Sequence, residues 1–244
     1  MASVVVLIPA RFGSSRFPGK PLAQISGRSM IERVYSNCKT SGFKTAVVTD
    51  NDEIEQHVKS FGGTVLRVDD DVPSGSERIA LAYQRFLQEE NADLVINVQG
   101  DEPLLNGDIL KELAEFHFSS TYPITTLLRE RKSSEEDFKN PNVVKAVYTG
   151  PTKQCLYFSR QSLPFDRDGG KEFSWFQHIG VYSYRPEALL AFVKLPLSRL
   201  EDLEKLEQLR ALENGYSIGA VLTTQKLIGV DVPEDIKKVE GALK

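Results

Sequence analysis

Short apolar segments alternate with amphipathic helical segments along the first hundred or so residues, and this alternation constrains the fold more than any other feature. The apolar segments have the length of buried β-strands and lie at residues 3–9, 44–50, 64–68 and 93–99. The helical segments lie at residues 30–39, 52–61 and 79–89. Such alternation is typical of βαβ units, so it predicts an α/β fold with a doubly wound, mostly parallel sheet.

The pattern changes near residue 122, where strand-like segments follow one another with turn residues between them. These segments lie at residues 123–129, 143–148, 155–158 and 178–184. We expect a smaller lobe with a mixed sheet at about residues 122–200. A helix is predicted at residues 198–214, where Ser198 and Glu201 form a capping box. Because no linker or repeat interrupts the sequence, residues 1–244 are predicted to form one α/β domain that contains this lobe.

The composition limits the partners and the location of the protein. The formal net charge is −4, whereas nucleic-acid-binding surfaces carry a basic excess, so we expect no nucleic-acid partner. The two cysteines, Cys38 and Cys155, are far apart in the sequence, which fits a reducing compartment without disulfides. No segment has the length of a membrane span or the features of a signal peptide, so we expect a cytoplasmic protein without membrane insertion.

The loop after the first strand, at residues 9–22, is rich in groups that bind phosphate. Its two glycines allow a close approach of the backbone, and Arg11, Arg16 and Lys20 supply positive charge. Two like charges about 4 Å apart cost on the order of 4 kcal/mol at an effective dielectric constant near 20, so a bound anion would explain the cluster. The spacing fits neither a Walker A loop nor the dinucleotide fingerprint, which argues against a Rossmann oxidoreductase. A basic surface loop with turn glycines is the alternative.

The sequence IPARFGSSRFPGKPL at residues 8–22 resembles the signature loop of sugar nucleotidyltransferases, and most closely that of the 3-deoxy-manno-octulosonate (Kdo) cytidylyltransferases. The resemblance extends over most of the chain. Further matching motifs are SGSER at 74–78, NVQGDEP at 97–103, YFSR at 157–160, HIGVY at 178–182, LEQLR at 206–210 and GVDVPED at 229–235. The resemblance implies an α/β nucleotide-binding fold with a smaller dimerisation lobe, a homodimer, and magnesium-dependent use of CTP.

Two aspartates that follow apolar segments are candidate metal ligands. Asp101 follows the strand predicted at residues 93–99, and Asp231 ends a short apolar segment. Mg²⁺ prefers oxygen ligands and commonly binds one or two carboxylates together with substrate phosphates. From the residues alone, each aspartate could instead cap a helix. The resemblance implies the metal-binding role, because both positions match the metal-binding aspartates of the family.

The resemblance also implies roles for residues around the nucleotide and the sugar. The implied catalytic residues are Arg11, Arg16, Lys20 and Asp101. The implied nucleotide-binding residues are Ala10, Arg11, Ser14, Lys20, Ser74, Gly75, Arg78 and Gln99. The implied sugar-binding residues are Gln99, Arg160, His178, Tyr182, Glu207 and Gln208. Without the resemblance, residues 74–78 read as an ordinary helix start and His178 as a structural strand residue.

The reaction implied by the resemblance is attack of the sugar's anomeric hydroxyl on the α-phosphorus of CTP, which transfers CMP and releases pyrophosphate. The product, CMP-Kdo or its 8-amino analogue, would supply lipopolysaccharide biosynthesis. Arg199 and the sequence PFDR at 164–167 are similar to the branch of the family that activates 8-amino-Kdo, so the choice of sugar stays open. The alternatives are another acidic-sugar nucleotidyltransferase of the acylneuraminate type and a non-catalytic nucleotide-binding protein of the same fold.

Overall fold

The computed structural model describes residues 3–13 and 17–243, and the chain divides into two compact units. The first unit comprises Met1–Glu112 and Lys226–Lys244, and the second comprises Leu113–Gln225. The first unit is therefore discontinuous in sequence, and the second is inserted into it. The lobe predicted at about residues 122–200 lies within the range of the second unit.

Most strands of the first unit pair in parallel. They are β1 (Val4–Pro9), β2 (Gln24–Ile25), β3 (Arg28–Ser29), β4 (Lys44–Thr49), β5 (Val65–Arg67) and β6 (Leu94–Val98). β2 and β3 form a short antiparallel hairpin, and the other four pair in parallel in the order β5–β4–β1–β6. β1 and β6 are buried almost throughout, as expected for parallel strands that are covered on both faces.

From β3 to β6 of the first unit, helices alternate with strands as a βαβ pattern predicts. Within the described residues the α-helices are α1 (Met30–Lys39), α2 (Asp52–Ser60), α3 (Gly75–Ala82), α4 (Gly107–Ser119), α5 (Pro186–Phe192), α6 (Arg199–Glu204), α7 (Gln208–Glu213) and α8 (Asp235–Ala242). Ser29, Asn51 and Ser74 cap α1, α2 and α3, because each side chain accepts a hydrogen bond from the backbone N–H three residues later. The boundary between the two units falls within α4.

The second unit has a mixed sheet in which antiparallel pairs predominate. Its strands are β7 (Ile124–Lys132), β8 (Lys145–Thr149), β9 (Gln154–Ser159), β10 (Ser174–Tyr184) and β11 (Ile218–Thr223). They pair in the order β10–β7–β11–β9–β8, and β8 also pairs with β10. Each strand therefore has two neighbours within the unit. Only β7 and β11 run in parallel among these pairs.

The single helix predicted at residues 198–214 is wrong, because the chain forms two shorter helices, α6 and α7, in this region. The break lies at Lys205, whose φ of 52° and ψ of 48° are in the left-handed region. At the break, the Glu204 carbonyl accepts a hydrogen bond of 2.7 Å from Arg160 Nε. A contact with a distant part of the chain thus accompanies the interruption, which apolar periodicity alone does not reveal.

Local signals predict some helix starts and miss others. The capping box of Ser198 and Glu201 is confirmed at the start of α6. The helix predicted at residues 79–89 begins earlier, at Gly75, and continues as a π-helical turn at Tyr83–Leu87. The sequence pattern predicts neither α4 nor α5. Every helix of the described residues is too short or too polar to cross a membrane.

Candidate active site

The carboxyl end of β1 is closely approached by two other segments of the first unit. A Cβ atom added to Gly75 would lie 3.1 Å from Pro9 Cγ, and one added to Gly100 would lie 3.1 Å from the Pro9 carbonyl oxygen. The Ala10 N–H donates to the Val48 carbonyl at 2.9 Å, which fixes the first residue of the loop after β1. The absence of side chains at the two glycines allows this convergence, at the edge of a parallel sheet where ligands commonly bind.

The N-terminus of α3 and the Arg11 side chain lie at the same end of the unit. Ser74 Oγ accepts a hydrogen bond of 3.1 Å from the Glu77 N–H, which caps the helix. Arg11 Nη1 lies 3.4 Å from each of the carbonyl oxygens of Val72 and Pro73, just before the helix begins. Because a helix N-terminus carries a partial positive charge, this arrangement suits an anionic ligand. The structure therefore brings together the predicted nucleotide-binding residues Arg11 and Ser74.

Arg78 is buried, and its guanidinium connects α3 to the ends of two strands. Arg78 Nη1 donates to the Val68 carbonyl after β5 at 2.6 Å, and Nη2 pairs with Asp50 after β4 at 2.7 Å. Its Nε is buried and has no hydrogen-bond partner. These contacts hold the start of α3 in place. The nucleotide-binding role that the resemblance implies for Arg78 stays a prediction.

Lys20 connects three separate segments of the first unit. Its Nζ donates to Asp101 Oδ2 at 2.6 Å and to the Val230 carbonyl at 2.9 Å. The Val230 N–H in turn donates to the Asp101 carbonyl at 3.0 Å. The side chains of Lys20 and Asp101 keep 17% and 30% of their exposure, so the pair is partly accessible to a ligand. The predicted catalytic residues Lys20 and Asp101 therefore lie together, next to the residue that precedes Asp231.

Glu102 adds a third carboxyl group to this cluster. Burial raises the pKa of Glu102 to about 8, and the negative charges of Asp101 and Asp231 contribute in the same direction. The Asp231 N–H donates to Asp235 Oδ2 at 3.1 Å, which fixes the turn that carries Asp231. The cluster therefore concentrates carboxyl groups at a place where a cation is favoured.

Asp101 and Asp231 fit a magnesium ion by the chemistry of their oxygen atoms. Within the described residues, no group of three or more histidine, cysteine, aspartate or glutamate side chains is arranged to hold a metal. Mg²⁺ commonly takes one or two carboxylates from the protein and completes its coordination with water and substrate phosphates. The charges of both aspartates act on the same neighbour, Glu102. This donor set suits an ion that arrives with a triphosphate rather than a closed protein site.

His178 and Tyr182, which were assigned to the sugar, lie together on β10 of the second unit. A β-bulge interrupts the strand between Ile179 and Tyr182, yet the ring centroids of His178 and Tyr182 are only 5.4 Å apart. His178 Nε2 lies 3.2 Å from Thr126 Oγ1. Burial lowers the pKa of His178 to about 3 and raises the pKa of Tyr182. Both side chains are therefore neutral near pH 7, as suits hydrogen bonding to hydroxyl groups.

Glu207 and Gln208 lie at the start of α7, directly after the break at Lys205. Arg210 Nη2 lies 3.2 Å from Glu207 Oε1, and Arg210 also pairs with Glu201 at 3.0 Å. Gln208 is buried, and its Nε2 has no hydrogen-bond partner. An unpartnered buried donor indicates that a ligand or a water molecule supplies the acceptor.

Arg160 follows β9 and makes several contacts with the protein backbone. Its Nε, Nη1 and Nη2 atoms donate to the carbonyls of Glu204, Pro141 and Lys205 at 2.7, 3.1 and 3.3 Å, respectively. A guanidinium has five N–H groups, so two remain for another acceptor. The predicted contact with the sugar's carboxylate stays a prediction. The structure adds that Arg160 binds the break between α6 and α7.

Two predicted site residues, Ser14 and Arg16, lie outside the described residues. Gln99 follows β6 and is partly exposed, and its carbonyl accepts a hydrogen bond of 3.3 Å from the Glu102 N–H. The predicted roles of all three residues stay predictions.

The sequence analysis missed three charged residues that the structure places at these clusters. Glu102 adjoins Asp101 within a matching motif, so its position could have been noticed from the sequence. Lys145 and Glu204 both bind Arg160, through its carbonyl and its N–H respectively. They lie 15 and 44 residues from Arg160 in the sequence, and no local pattern indicates either contact.

Known proteins are similar to this chain in sequence and in fold. A family model described as Cytidylyltransferase matches residues 5–224. The chain belongs to the cytidylyltransferase family. This cytidylyltransferase is similar to the 3-deoxy-manno-octulosonate cytidylyltransferase of Thermodesulfovibrio yellowstonii, with 42% identity over 98% of this chain and 97% of the relative. The 8-amino-3,8-dideoxy-manno-octulosonate cytidylyltransferase of Shewanella pealeana is 43% identical over 99% of this chain and 98% of the relative.

A solved structure of CMP:2-keto-3-deoxy-manno-octonic acid synthetase complexed with CTP matches the cytidylyltransferase with a TM-score of 0.89 and 34% identity, over 99% of this chain and 98% of the other. A cytidylyltransferase from Leptospira borgpetersenii shares the fold alone, with a TM-score of 0.65 and 15% identity over 100% of this chain and 87% of the other. These comparisons confirm the predicted family, the mixed α/β class and the nucleotidyltransferase activity. The roles of individual residues and the metal ion stay predictions.

Proposed function

We propose that this cytidylyltransferase transfers CMP from CTP to the anomeric hydroxyl of Kdo or of 8-amino-Kdo and releases pyrophosphate, in the biosynthesis of lipopolysaccharide. The observation that carries the proposal is the cluster in which Lys20 contacts both Asp101 and the Val230 carbonyl. A cation and two carboxylates drawn from three segments suit a triphosphate that arrives with a metal ion. The names of the relatives support the two sugars, because one is named for each.

Asp101 and Asp231 are the residues that would hold a magnesium ion. Such an ion, when bound, neutralises phosphate charge and lowers the pKa of an attacking hydroxyl. Lys20 Nζ and Asp101 Oδ2 lie 2.6 Å apart, so a cation for the phosphates and a carboxylate for the metal ion would act side by side. Holding reacting groups in such a geometry reduces the entropy lost when the reactants are positioned.

The triphosphate would be bound by the loop after β1 and by the start of α3. Arg11 and Lys20 supply charge, and the N-terminus of α3 supplies backbone N–H groups beside the cap Ser74. Ala10, Ser14, Arg16, Gly75, Arg78 and Gln99 keep the roles that the family resemblance gives them. In the reaction, the anomeric hydroxyl releases its proton to solvent and its oxygen bonds to the α-phosphorus, while the bond from that phosphorus to the bridging oxygen of pyrophosphate breaks. Charge neutralisation and alignment suffice for such a displacement.

The sugar would be bound by the polar side chains of the second unit. Arg160 retains two N–H groups for the sugar's carboxylate, in the planar geometry that favours bidentate contacts. The unpartnered amide nitrogen of Gln208 and the neutral ring of His178 suit hydroxyl groups. Tyr182 and Glu207 complete the set proposed in the second unit, and Gln99 of the first unit keeps the role that the family resemblance gives it. The carboxylate of Glu207 could accept from a hydroxyl or pair with an amine, so it is compatible with either sugar.

We also propose that the protein is a cytoplasmic homodimer that associates through the second unit. Of the eight large hydrophobic residues exposed at the described surface, six belong to this unit. They are Phe118, Leu156, Phe165, Leu197, Leu203 and Leu222. Exposed apolar side chains mark an interface where they form a contiguous patch, and we propose that these six contribute to one in the dimer. The second unit would then contain the predicted dimerisation lobe. The doubly wound sheet and the single domain spanning residues 1–244 likewise remain part of what we propose.

The proposed function is tested by pyrophosphate release from CTP and Mg²⁺ with Kdo and 8-amino-Kdo as separate acceptors. Reactions without sugar, without Mg²⁺ and with an acylneuraminate serve as controls. Release that requires Kdo or 8-amino-Kdo supports the proposal, and the ratio of the two kcat/KM values identifies the preferred sugar. Release only with the acylneuraminate contradicts the proposed acceptor, and retained CTP binding without release contradicts the reaction.

A further inference from the structure

Lys145 is a fully buried lysine on β8, between two strands that carry predicted sugar ligands. It lies opposite Ser159 of β9 and opposite Gln177 of β10. The next residues along those strands are Arg160 and His178, which are both assigned to the sugar. A buried cation therefore lies next to both parts of the proposed sugar site.

The ammonium group of Lys145 is bound by backbone carbonyls. Its Nζ donates to the Asn140 carbonyl at 2.7 Å and to the Arg160 carbonyl at 3.1 Å. Burial lowers the pKa of Lys145, the nearby charge of Asp137 opposes this shift, and the charge of Arg160 adds to it. No carboxylate among the described residues forms an ion pair with this ammonium. Burying an unpaired charge is unfavourable, so its contacts with the two carbonyls must offset that cost.

The main chain of Arg160 is held from both sides by ionisable side chains. Its carbonyl accepts from Lys145, and its N–H donates to Glu204 Oε2 at 2.9 Å. Glu204 Oε1 also accepts a hydrogen bond of 2.6 Å from Ser159 Oγ. Arg160 Nη1 donates to the Pro141 carbonyl. Pro141 directly follows Asn140, whose carbonyl accepts from Lys145. These contacts fix both the backbone and the guanidinium of Arg160.

We propose that Lys145 is a positioning residue for sugar binding, which holds Arg160 so that its two remaining N–H groups are directed to the sugar's carboxylate. This inference rests on the proposed function, because it assumes an acidic sugar at Arg160. Lys145 is buried and acts only through Arg160. Its loss therefore weakens binding of the acidic sugar and leaves binding of CTP unchanged. Glu204 supports the same residue from the opposite side.

The test compares Lys145→Met with Lys139→Met, which removes the same charge from an exposed position. KM for the sugar, KM for CTP, kcat and the melting temperature are measured for both variants and the wild type. In Lys145→Met, KM for the sugar should rise by about tenfold or more, while KM for CTP stays within about twofold. Lys139→Met should match the wild type. A purely structural role would lower the melting temperature without this selective change in KM.

Equal increases in the two KM values, or an unchanged KM for the sugar, would overturn the inference. If Lys145→Met does not fold, Glu204→Gln provides the same comparison, because Gln retains one oxygen acceptor for Ser159 or for the Arg160 N–H. If the wild type shows no sugar-dependent release of pyrophosphate, both the proposed function and this inference are wrong. If the wild type releases pyrophosphate but KM for the sugar is unchanged in Lys145→Met and in Glu204→Gln, only this inference is wrong.

Discussion

Lys20 and Asp101 form an ion pair of 2.6 Å between residues that are 81 positions apart in the sequence. The pair is partly buried, with side-chain exposures of 17% and 30%, so salt screens it less than a pair at the surface. The same Lys20 ammonium also binds the Val230 carbonyl, next to Asp231. One side chain therefore orders both of the segments that carry the proposed metal ligands, and the site depends on the charges of its members.

Asp101→Asn keeps the volume of the side chain but removes its charge. We expect turnover to fall by about a hundredfold or more, because a lost metal ligand costs several kcal/mol of transition-state stabilisation. The measurement is pyrophosphate release at saturating CTP and Mg²⁺. Asp108→Asn is the matched control, since the Asp108 side chain is 79% exposed and lies on α4. Wild-type turnover in Asp101→Asn would show that the metal assignment is wrong.

At the residue scale, the sequence proposes candidate side chains but does not indicate which groups they contact in the fold. Lys20 and Asp101 lie in short motifs whose composition is informative by itself. The burial that raises the pKa of Glu102 depends on the segment around Asp231, which is distant in sequence. The contacts of Lys145 are likewise set by strand pairing and are invisible to local patterns.

At the scale of elements, the break between α6 and α7 shows that apolar periodicity alone does not predict where a helix ends. Leucines recur every third residue through this region, which favours one continuous helix. The start is encoded locally by the capping box of Ser198, and it was predicted correctly. The break at Lys205 coincides with contacts from Arg160 to the carbonyls of Glu204 and Lys205. The break therefore depends on tertiary contacts, and it places Glu207 at the start of a new helix.

The start of α4 depends on a close approach of two backbones. A Cβ atom added to Gly107 would lie 2.1 Å from the Ser41 nitrogen. Because backbone atoms cannot give way as a flexible side chain can, we expect Gly107→Ala to lower the free energy of unfolding by about 2 kcal/mol or more. Gly241→Ala in α8 is the control, since no atom lies within 4 Å and alanine favours a helix by up to about 1 kcal/mol. Urea denaturation measures both, and equal effects would contradict the steric argument.

His117 connects α4 to the strands of the second unit. Its Nδ1 lies 2.8 Å from Ser183 Oγ, and its Nε2 lies 2.9 Å from the Tyr122 carbonyl. A carbonyl only accepts hydrogen bonds, so Nε2 carries the proton and Nδ1 accepts from the hydroxyl. Burial, together with the charge of Arg185, lowers the pKa of His117 to about 4. The folded protein therefore favours the neutral imidazole.

This lowered pKa predicts that stability decreases in acid. An unfolded histidine takes up a proton near pH 6.5, whereas His117 in the folded protein does so near pH 4. Its contribution is complete above about pH 6.5 and is lost as the pH falls towards 4, with a loss of about 2 kcal/mol at pH 5. His117→Gln should reduce this loss when urea unfolding is compared at about pH 7.5 and about pH 5. His178 is present in both proteins, so its own titration cancels. An identical pH dependence in the variant would refute the assignment.

At the scale of the whole molecule, the net charge bears on how a substrate is attracted, and the path of the chain determines the division into two units. The net charge of −4 means that an anionic substrate is attracted by local cations rather than by the protein's overall charge, as the composition predicts. The change of pattern near residue 122 predicts a smaller lobe, but no linker marks the boundaries of the units at residues 112–113 and 225–226. The division follows from contacts between segments that are distant in the sequence. Amino-acid composition is an average over the chain and contains no information on such contacts.

The proposed dimer predicts a particle mass of twice 27.3 kDa by light scattering. Phe165→Ser should weaken the association, because Phe165 is 83% exposed and lies in the second unit. Phe86→Ser is the matched control in the first unit, where Phe86 is 47% exposed. Masses are measured across a dilution series for all three proteins. A mass of 27.3 kDa at every concentration would contradict the dimer, and equal effects of the two substitutions would contradict the role of the second unit.

The discontinuity of the first unit has a consequence for protein synthesis. The second unit is contiguous and ends at Gln225, so all of its residues leave the ribosome before Val230 and Asp231 do. Lys20 is made early, but its carbonyl acceptor at Val230 is made 210 residues later. A nascent polypeptide that stops before this point contains the signature loop and the whole second unit, yet it lacks one of the two proposed metal ligands. Translation therefore completes the proposed metal-binding cluster only after all of the second unit, with its proposed sugar-binding residues, has been synthesised.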